Sequence, residues 1–251
     1  MAGSRKKPQG MSGPIKLGGG GTAWEVIQFP DEKAAREQMI ADIFASAFEQ
    51  WVAGQSEPSI APIQSVEQNA EYDLDFTIGT ALGKKLLELA EFAPLNTHGP
   101  KFENAPPSLH PSEKSKLALE LVHDKSDHQG GNDRVLLLYA TEHGFWLDPI
   151  TIEIMRRRLA DAPPRFDRVF YLSIHDPKTG SLSEIYPGSP HHMFGEHSDD
   201  KLAGMNVIMP HPTEMEGRQA WECSGSIRYG NGMSPIRIKI DMPATLKIRG
   251  A

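Results

Sequence analysis

Two unbroken apolar runs, Val135-Leu136-Leu137-Leu138-Tyr139 and Val169-Phe170-Tyr171-Leu172, constrain this chain more than any other feature. A strand with one face in water alternates apolar and polar side chains, so a run without alternation marks a strand covered on both faces. Such a strand needs helices on either side of its sheet, and the neighbouring segments supply them. Pro30, Asp31 and Glu32 give helix-start chemistry. Met39, Ile40, Ile43, Phe44, Ala47, Phe48, Trp51 and Val52 then recur at helical spacing before Gly54. Ser112 can cap a second helix running to about His123, with Leu117, Leu121 and Val122 inward. Asp148-Pro149 opens a third, carrying Ile150, Ile154, Met155 and Leu159.

Between the first two helices, Pro58 and Pro62 mark a loop. Tyr72, Leu74, Phe76 and Ile78 then alternate with Asp73, Asp75 and Thr77. That period-two strand leads through a Gly79-to-Gly83 connection into Lys85-Leu86-Leu87-Glu88-Leu89-Ala90-Glu91-Phe92, which predicts a hairpin. Asp176-Pro177-Lys178-Thr179-Gly180 is a turn, with Leu182 to Tyr186 returning as a strand. The order helix, strand, strand, helix, strand, helix, strand, strand predicts an α/β protein with a central mixed sheet flanked by helices.

Three regions follow. Residues 1–22, with Arg5, Lys6, Lys7 and Gly18 to Gly21, read as a flexible basic, Gly-rich arm. Residues 23–186 form the α/β core. Residues 187–251 form a loop-rich extension ending in a β-hairpin, built on Ser226 to Tyr229, a Gly230-Asn231-Gly232 turn and Ile236 to Ile240.

With 251 residues, 39% of them hydrophobic, the chain can bury a sizeable core. Twenty-six Lys+Arg against 33 Asp+Glu leave a net charge of −7, so contact with nucleic acid requires a local basic patch. The single cysteine, Cys223, excludes an internal disulfide and a Cys-based zinc cluster, and reads as a buried small hydrophobe. No apolar run approaches the ~20 residues that span a bilayer. A soluble, cytoplasmic protein is expected, with no membrane partner.

The hairpin carries the clearest chemistry. Asp73 and Asp75 share one face of its first strand, and Glu88 shares a face of the second with Leu86 and Ala90. Neighbouring strands lie about 4.8 Å apart, so an Asp and Glu88 can converge on one cation. Mg²⁺ prefers such carboxylate oxygens, and can hold a scissile phosphate and acidify an attacking water.

Tyr72-Asp73-Leu74-Asp75-Phe76 followed by Lys85-Leu86-Leu87-Glu88-Leu89-Ala90-Glu91 resembles the core hairpin of the PD-(D/E)xK nuclease-like superfamily. The resemblance extends over roughly residues 30 to 186 and implies a restriction-endonuclease-like α-β-β-β-α-β core. It implies Mg²⁺-dependent phosphodiester hydrolysis of DNA or RNA, with Asp73, Asp75 and Glu88 as metal ligands. Glu37, on the preceding helix, would assist. The family's lysine position falls on Ala90, so an amine from Lys84, Lys85 or Lys125 would have to orient the nucleophile, and Lys125 completes the candidate catalytic set Asp75, Glu88, Glu37 and Lys125.

Other chemistry-bearing residues form weaker patterns. His191-His192, His197, Asp199, Asp200 and His211 lie in a polar region without the i, i+4 spacing of specific metal motifs. Arg156-Arg157-Arg158 falls near a helix C-terminus, where cations are favoured. With Lys84 and Lys85 it is the basic patch available to phosphates. Two readings stand beside the nuclease: a catalytically inactive nuclease-fold binding or assembly module, marked by Ala90, and an unrelated α/β interaction protein. Both make a protein partner or a homo-oligomer an expectation.

Overall fold

The computed structural model describes residues 8, 10–12, 16–18, 21–54, 61–69, 74–95, 102, 109–189, 194, 197–205, 209–215, 218–229, 232–240 and 244–250. Three strands come first: β1 (Met11–Ser12), β2 (Lys16–Gly18) and β3 (Gly21–Gln28). Helix α1 (Lys33–Ala53) precedes β4 (Ile63–Gln68), β5 (Phe76–Thr80) and β6 (Gly83–Glu91). Helix α2 (Pro111–Gln129) leads to β7 (Gly131–Tyr139), and α3 (Pro149–Asp161) to β8 (Phe166–Ile174) and β9 (Gly180–Tyr186). A short α4 (Asp199–Ala203) precedes β10 (Met209–Met215), β11 (Arg218–Tyr229), β12 (Gly232–Ile240) and β13 (Ala244–Gly250).

The centre is a six-stranded mixed sheet in the order β4-β5-β6-β7-β8-β9. β4, β5 and β6 form an antiparallel meander, β6, β7 and β8 run parallel, and β9 returns antiparallel. From α1 to β7 the chain therefore runs helix, three strands, helix, strand. Register fixes what each face carries. Leu89, Leu137 and Phe170 lie in one row across β6, β7 and β8, and Glu88, Leu136 and Val169 in the next. The first row meets α1, whose Phe44, Phe48 and Trp51 rings all pack against Phe170 at centroid distances of 5.2 to 6.1 Å. The second row faces α2. Both apolar runs are thus buried on two sides, as their lack of alternation requires: Leu136, Leu137, Leu138, Val169, Phe170 and Tyr171 are all fully buried.

Several starts differ in detail from the sequence reading. His110, not Ser112, caps α2: its Nδ1 accepts from the Ser112 amide at 3.3 Å, with Pro111 in the first turn. The helix also runs past His123 to Gln129. β4 falls in what reads as loop, because only Ile63 of its six residues is buried and an edge strand in water leaves no apolar alternation. The β5–β6 turn has two residues, Ala81 and Leu82, between the paired Thr80 and Gly83. Gly83 has φ +124°, a value few other residues adopt.

Part of the stretch read as an arm is in strands. β1, β2 and β3 form a four-stranded sheet with β13, which lies parallel to β3 with Thr22 opposite Ala244. Gly-rich segments pair through their main chain and leave no side-chain signature. The extension carries a three-stranded sheet, β10-β11-β12, rather than a hairpin alone. Residues 230 and 231 of the expected Gly-Asn-Gly turn lie outside the described residues, as do His191, His192 and the side chains of Cys223 and His211.

Below the sheet, Lys114 and Asp148 form an ion pair at 3.0 Å with side chains 1% and 0% exposed. Lys114 also donates to the Trp146 carbonyl at 2.7 Å, and Asp148 accepts from the Thr151 amide and hydroxyl as the α3 N-cap. Burial lowers the Lys114 pKa, and Asp148 opposes that shift. Asp148→Ala would strand a buried ammonium and uncap α3. We expect a loss of about 3–5 kcal/mol, read as a lower urea midpoint at unchanged slope.

Candidate functional site

β5 and β6 pair with Phe76 opposite Leu87, so one step further along the same register brings Asp75 opposite Glu88. Directly opposed residues of an antiparallel pair share a face. β5 itself ends at Phe76, and the Asp75 side chain takes over the ladder there: its Oδ2 accepts from the Leu89 amide at 2.8 Å. Asn69 holds the same corner from the other side. Its amide donates to the Asp75 carbonyl at 2.9 Å, its side chain donates to the Leu74 carbonyl at 3.0 Å, and it accepts from the Thr77 hydroxyl at 2.7 Å. Asp75 is therefore fixed by main chain and side chain at once.

Glu88 is 2% exposed. Its Oε1 accepts from the Lys125 ammonium on α2, and Lys125 remains 30% exposed on its outer side. Glu88 Oε2 is buried and has no hydrogen-bond partner among the described residues. Burial raises the Glu88 pKa above its usual 4.5. The hydrogen bond from Lys125 and its charge oppose this, while Asp75 and, last, Glu37 push further upward. Two carboxylates and one ammonium thus converge, with one carboxylate oxygen left without the hydrogen bonds a buried anion requires.

Glu37 does not join this group by contact. It sits on α1, across the sheet, paired with Lys33 at 3.3 Å, and reaches Glu88 only through its field. On that side Glu91 accepts from the Thr141 hydroxyl. The Tyr139 phenol is pushed well above its ordinary pKa by burial and by Glu91, with Arg36 opposing and Glu37 adding. Asp73 lies outside the described residues. Among the described residues no three His, Cys, Asp or Glu side chains are grouped closely enough to hold a metal ion.

The remaining candidates other than Lys84 are committed elsewhere. Lys85 is paired with Asp167. Arg156 donates to the Glu184 carbonyl at 2.8 Å. Arg157 donates to the carbonyls of His197 and Phe194 and to Asp199, and Arg158 meets Asp199 at 3.5 Å. Arg157 and Arg158 pin the segment around α4 onto α3, and Arg156 ties α3 to β9, so the three do not form a free basic face. Asn69 and the Leu89 amide escape sequence reading. An asparagine just before a polar loop is the sole trace, and it becomes meaningful only once β4 is recognised. Among the described residues no helix is long and apolar enough to cross a membrane.

No protein-family model, no curated protein and no solved structure matches this chain.

A raised carboxyl pKa has a defined stability signature. In the folded protein Glu88 holds its proton to higher pH than in the unfolded chain, so its contribution is fully present below about 4.5 and is lost as pH rises through the raised value. Glu88→Gln keeps the shape without the charge. We expect it to be more stable than the parent at pH 7, with the difference vanishing below pH 4.5, in urea unfolding followed across that range.

Proposed function

We propose that the chain is a metal-dependent nuclease-like hydrolase of phosphodiesters, with Asp75, Glu88 and Lys125 as its working residues. The observation that carries this reading is the buried, unpartnered Glu88 Oε2 beside Asp75. A protein gains nothing in stability from such an atom, and buried carboxylates with raised pKa values cluster where chemistry needs them. The α-β-β-β-α-β order from α1 to β7 supports the same reading, since it is the order the resemblance implies.

The donor set fits Mg²⁺, which uses one or two carboxylates and completes its shell with water and substrate phosphate. Asp75 and Glu88 would hold the ion, and its chemistry would be Lewis-acid polarisation of the phosphoryl oxygen and a water of lowered pKa. Asp75 is presented rigidly, because Asn69 and the Leu89 amide hold it. Lys125 favours the charged form of Glu88 against its burial and leaves Oε2 for the ion. Partly exposed, its ammonium can also donate to an attacking water or to a phosphate oxygen, the role that Ala90 cannot play from the strand.

A second reading rests on the same pair. With Glu88 2% exposed and bound to Lys125, and Ala90 at the lysine position, the fold could serve assembly without catalysis. Calorimetry with Mn²⁺ or Mg²⁺ separates the two. The nuclease reading expects an isotherm that disappears in Glu88→Ala, and plasmid or single-stranded substrate cleavage reduced at least about 100-fold by Glu88→Ala and by Lys125→Met. No ion binding by the parent chain, or an isotherm unchanged in Glu88→Ala, overturns it. The assembly reading then predicts a complex that persists on dilution in light scattering.

A further inference from the structure

At the tip of the β5–β6 hairpin a pocket of about 180 Å³ opens between the turn and the start of β8. Lys84, Lys85 and Arg168 line it against a single carboxylate, Asp167. In a chain of net charge −7, this is a local reversal of sign. The cations are not equivalent. Lys85 is paired with Asp167, while Arg168 is paired with Glu184 and stands 6.0 Å above the Trp51 ring. Both are held in place by these contacts. Lys84 is exposed and has no ion-pair partner among the described residues, so it carries the uncompensated charge. Above it Leu82 is 76% exposed, the exposed large apolar side chain among the described residues. No Cβ is present at Gly83, and nothing lies within 4 Å of where one would be, so the turn leaves open space beside the cations.

We infer that this pocket takes a phosphodiester of a polynucleotide backbone, as a contact apart from Asp75 and Glu88; the choice of ligand rests on the nuclease reading. Lys84 and Glu88 lie on one face of β6, four residues apart. That separation is about 13 Å, close to four nucleotide steps of a B-form strand. Glu88 itself is 2% exposed beneath α2, so the pocket is a contact apart from the carboxylates and not a groove leading to them. The exposed Leu82 suits an apolar sugar face. Among the described residues no aromatic ring lines the pocket, so the contact reads backbone and not base, and positions without sequence preference.

The test uses the full chain in EDTA, so that binding is read without cleavage. A labelled short single strand is titrated by fluorescence anisotropy over a range of salt. Lys84→Ala is expected to weaken binding roughly two- to fivefold and to flatten the slope of log K against log salt by about 0.7, the loss of one phosphate contact. Asp167→Asn removes the opposing carboxylate and is expected to tighten binding. Parent-like affinity and slope in Lys84→Ala, or no strand binding by the parent, overturns the inference. Inorganic phosphate is titrated in parallel by thermal shift. Stabilisation by phosphate that Lys84→Ala abolishes, with strand affinity unchanged, assigns the pocket to free phosphate and also overturns it. Salt-dependent strand binding through Lys84 without any metal-dependent cleavage leaves the pocket standing and removes the nuclease reading alone.

Discussion

The pairing register of β5 with β6 is the constraint on which the site depends. Because Phe76 lies opposite Leu87, Asp75 must lie opposite Glu88, and a slip of one residue would turn every side chain of one strand to the other face. The register is held at both ends. Gly83 permits the two-residue turn at one end, and at the other Asp75 itself closes the ladder on the Leu89 amide. The residue that would bind a cation is thus also the residue that ends the strand. Its geometry cannot drift without breaking the sheet edge.

Two buried ion pairs sit on the same side of the sheet, and comparing them shows what distinguishes scaffold from site. Asp148 uses its oxygens fully, accepting from Lys114 and from the amide and hydroxyl of Thr151. Its charge is matched and the helix start is built on it. Glu88 satisfies one oxygen with Lys125 and leaves the other bare. The first arrangement is complete as it stands. The second has capacity left over, and burial, with Asp75 beside it, raises its pKa against the pull of Lys125.

Much of this was legible in the primary structure. The runs at Val135 and Val169 announced doubly covered strands, and the alternation from Leu74 to Ile78 with a glycine turn placed Asp75 near Glu88. What stayed hidden had physical causes. β4 is an edge strand with mostly solvated side chains, so it carries no apolar period. Lys125 sits in the last turns of α2, where Asp124, Ser126 and Asp127 erase the hydrophobic pattern that defined the helix up to His123. Yet Lys125 follows the fully buried Ala118 and Val122 at helical spacing, so extending the helix would have aimed it inward. Glu37 lies on a correctly read helix that packs on the other side of the sheet from Glu88, and it bears on Glu88 through its field alone.

The parallel pairing of β3 with β13 joins segments at Thr22 and Ala244 that are far apart in sequence. A nascent chain emerging from the ribosome can close the hairpin of β5 and β6 from neighbouring residues, but β3 must wait until Ala244 and its successors have been made before its parallel neighbour exists. Contacts of such long sequence separation carry a large loop-closure entropy and form late. The central sheet and its carboxylates can therefore take shape before the seam between these distant segments closes.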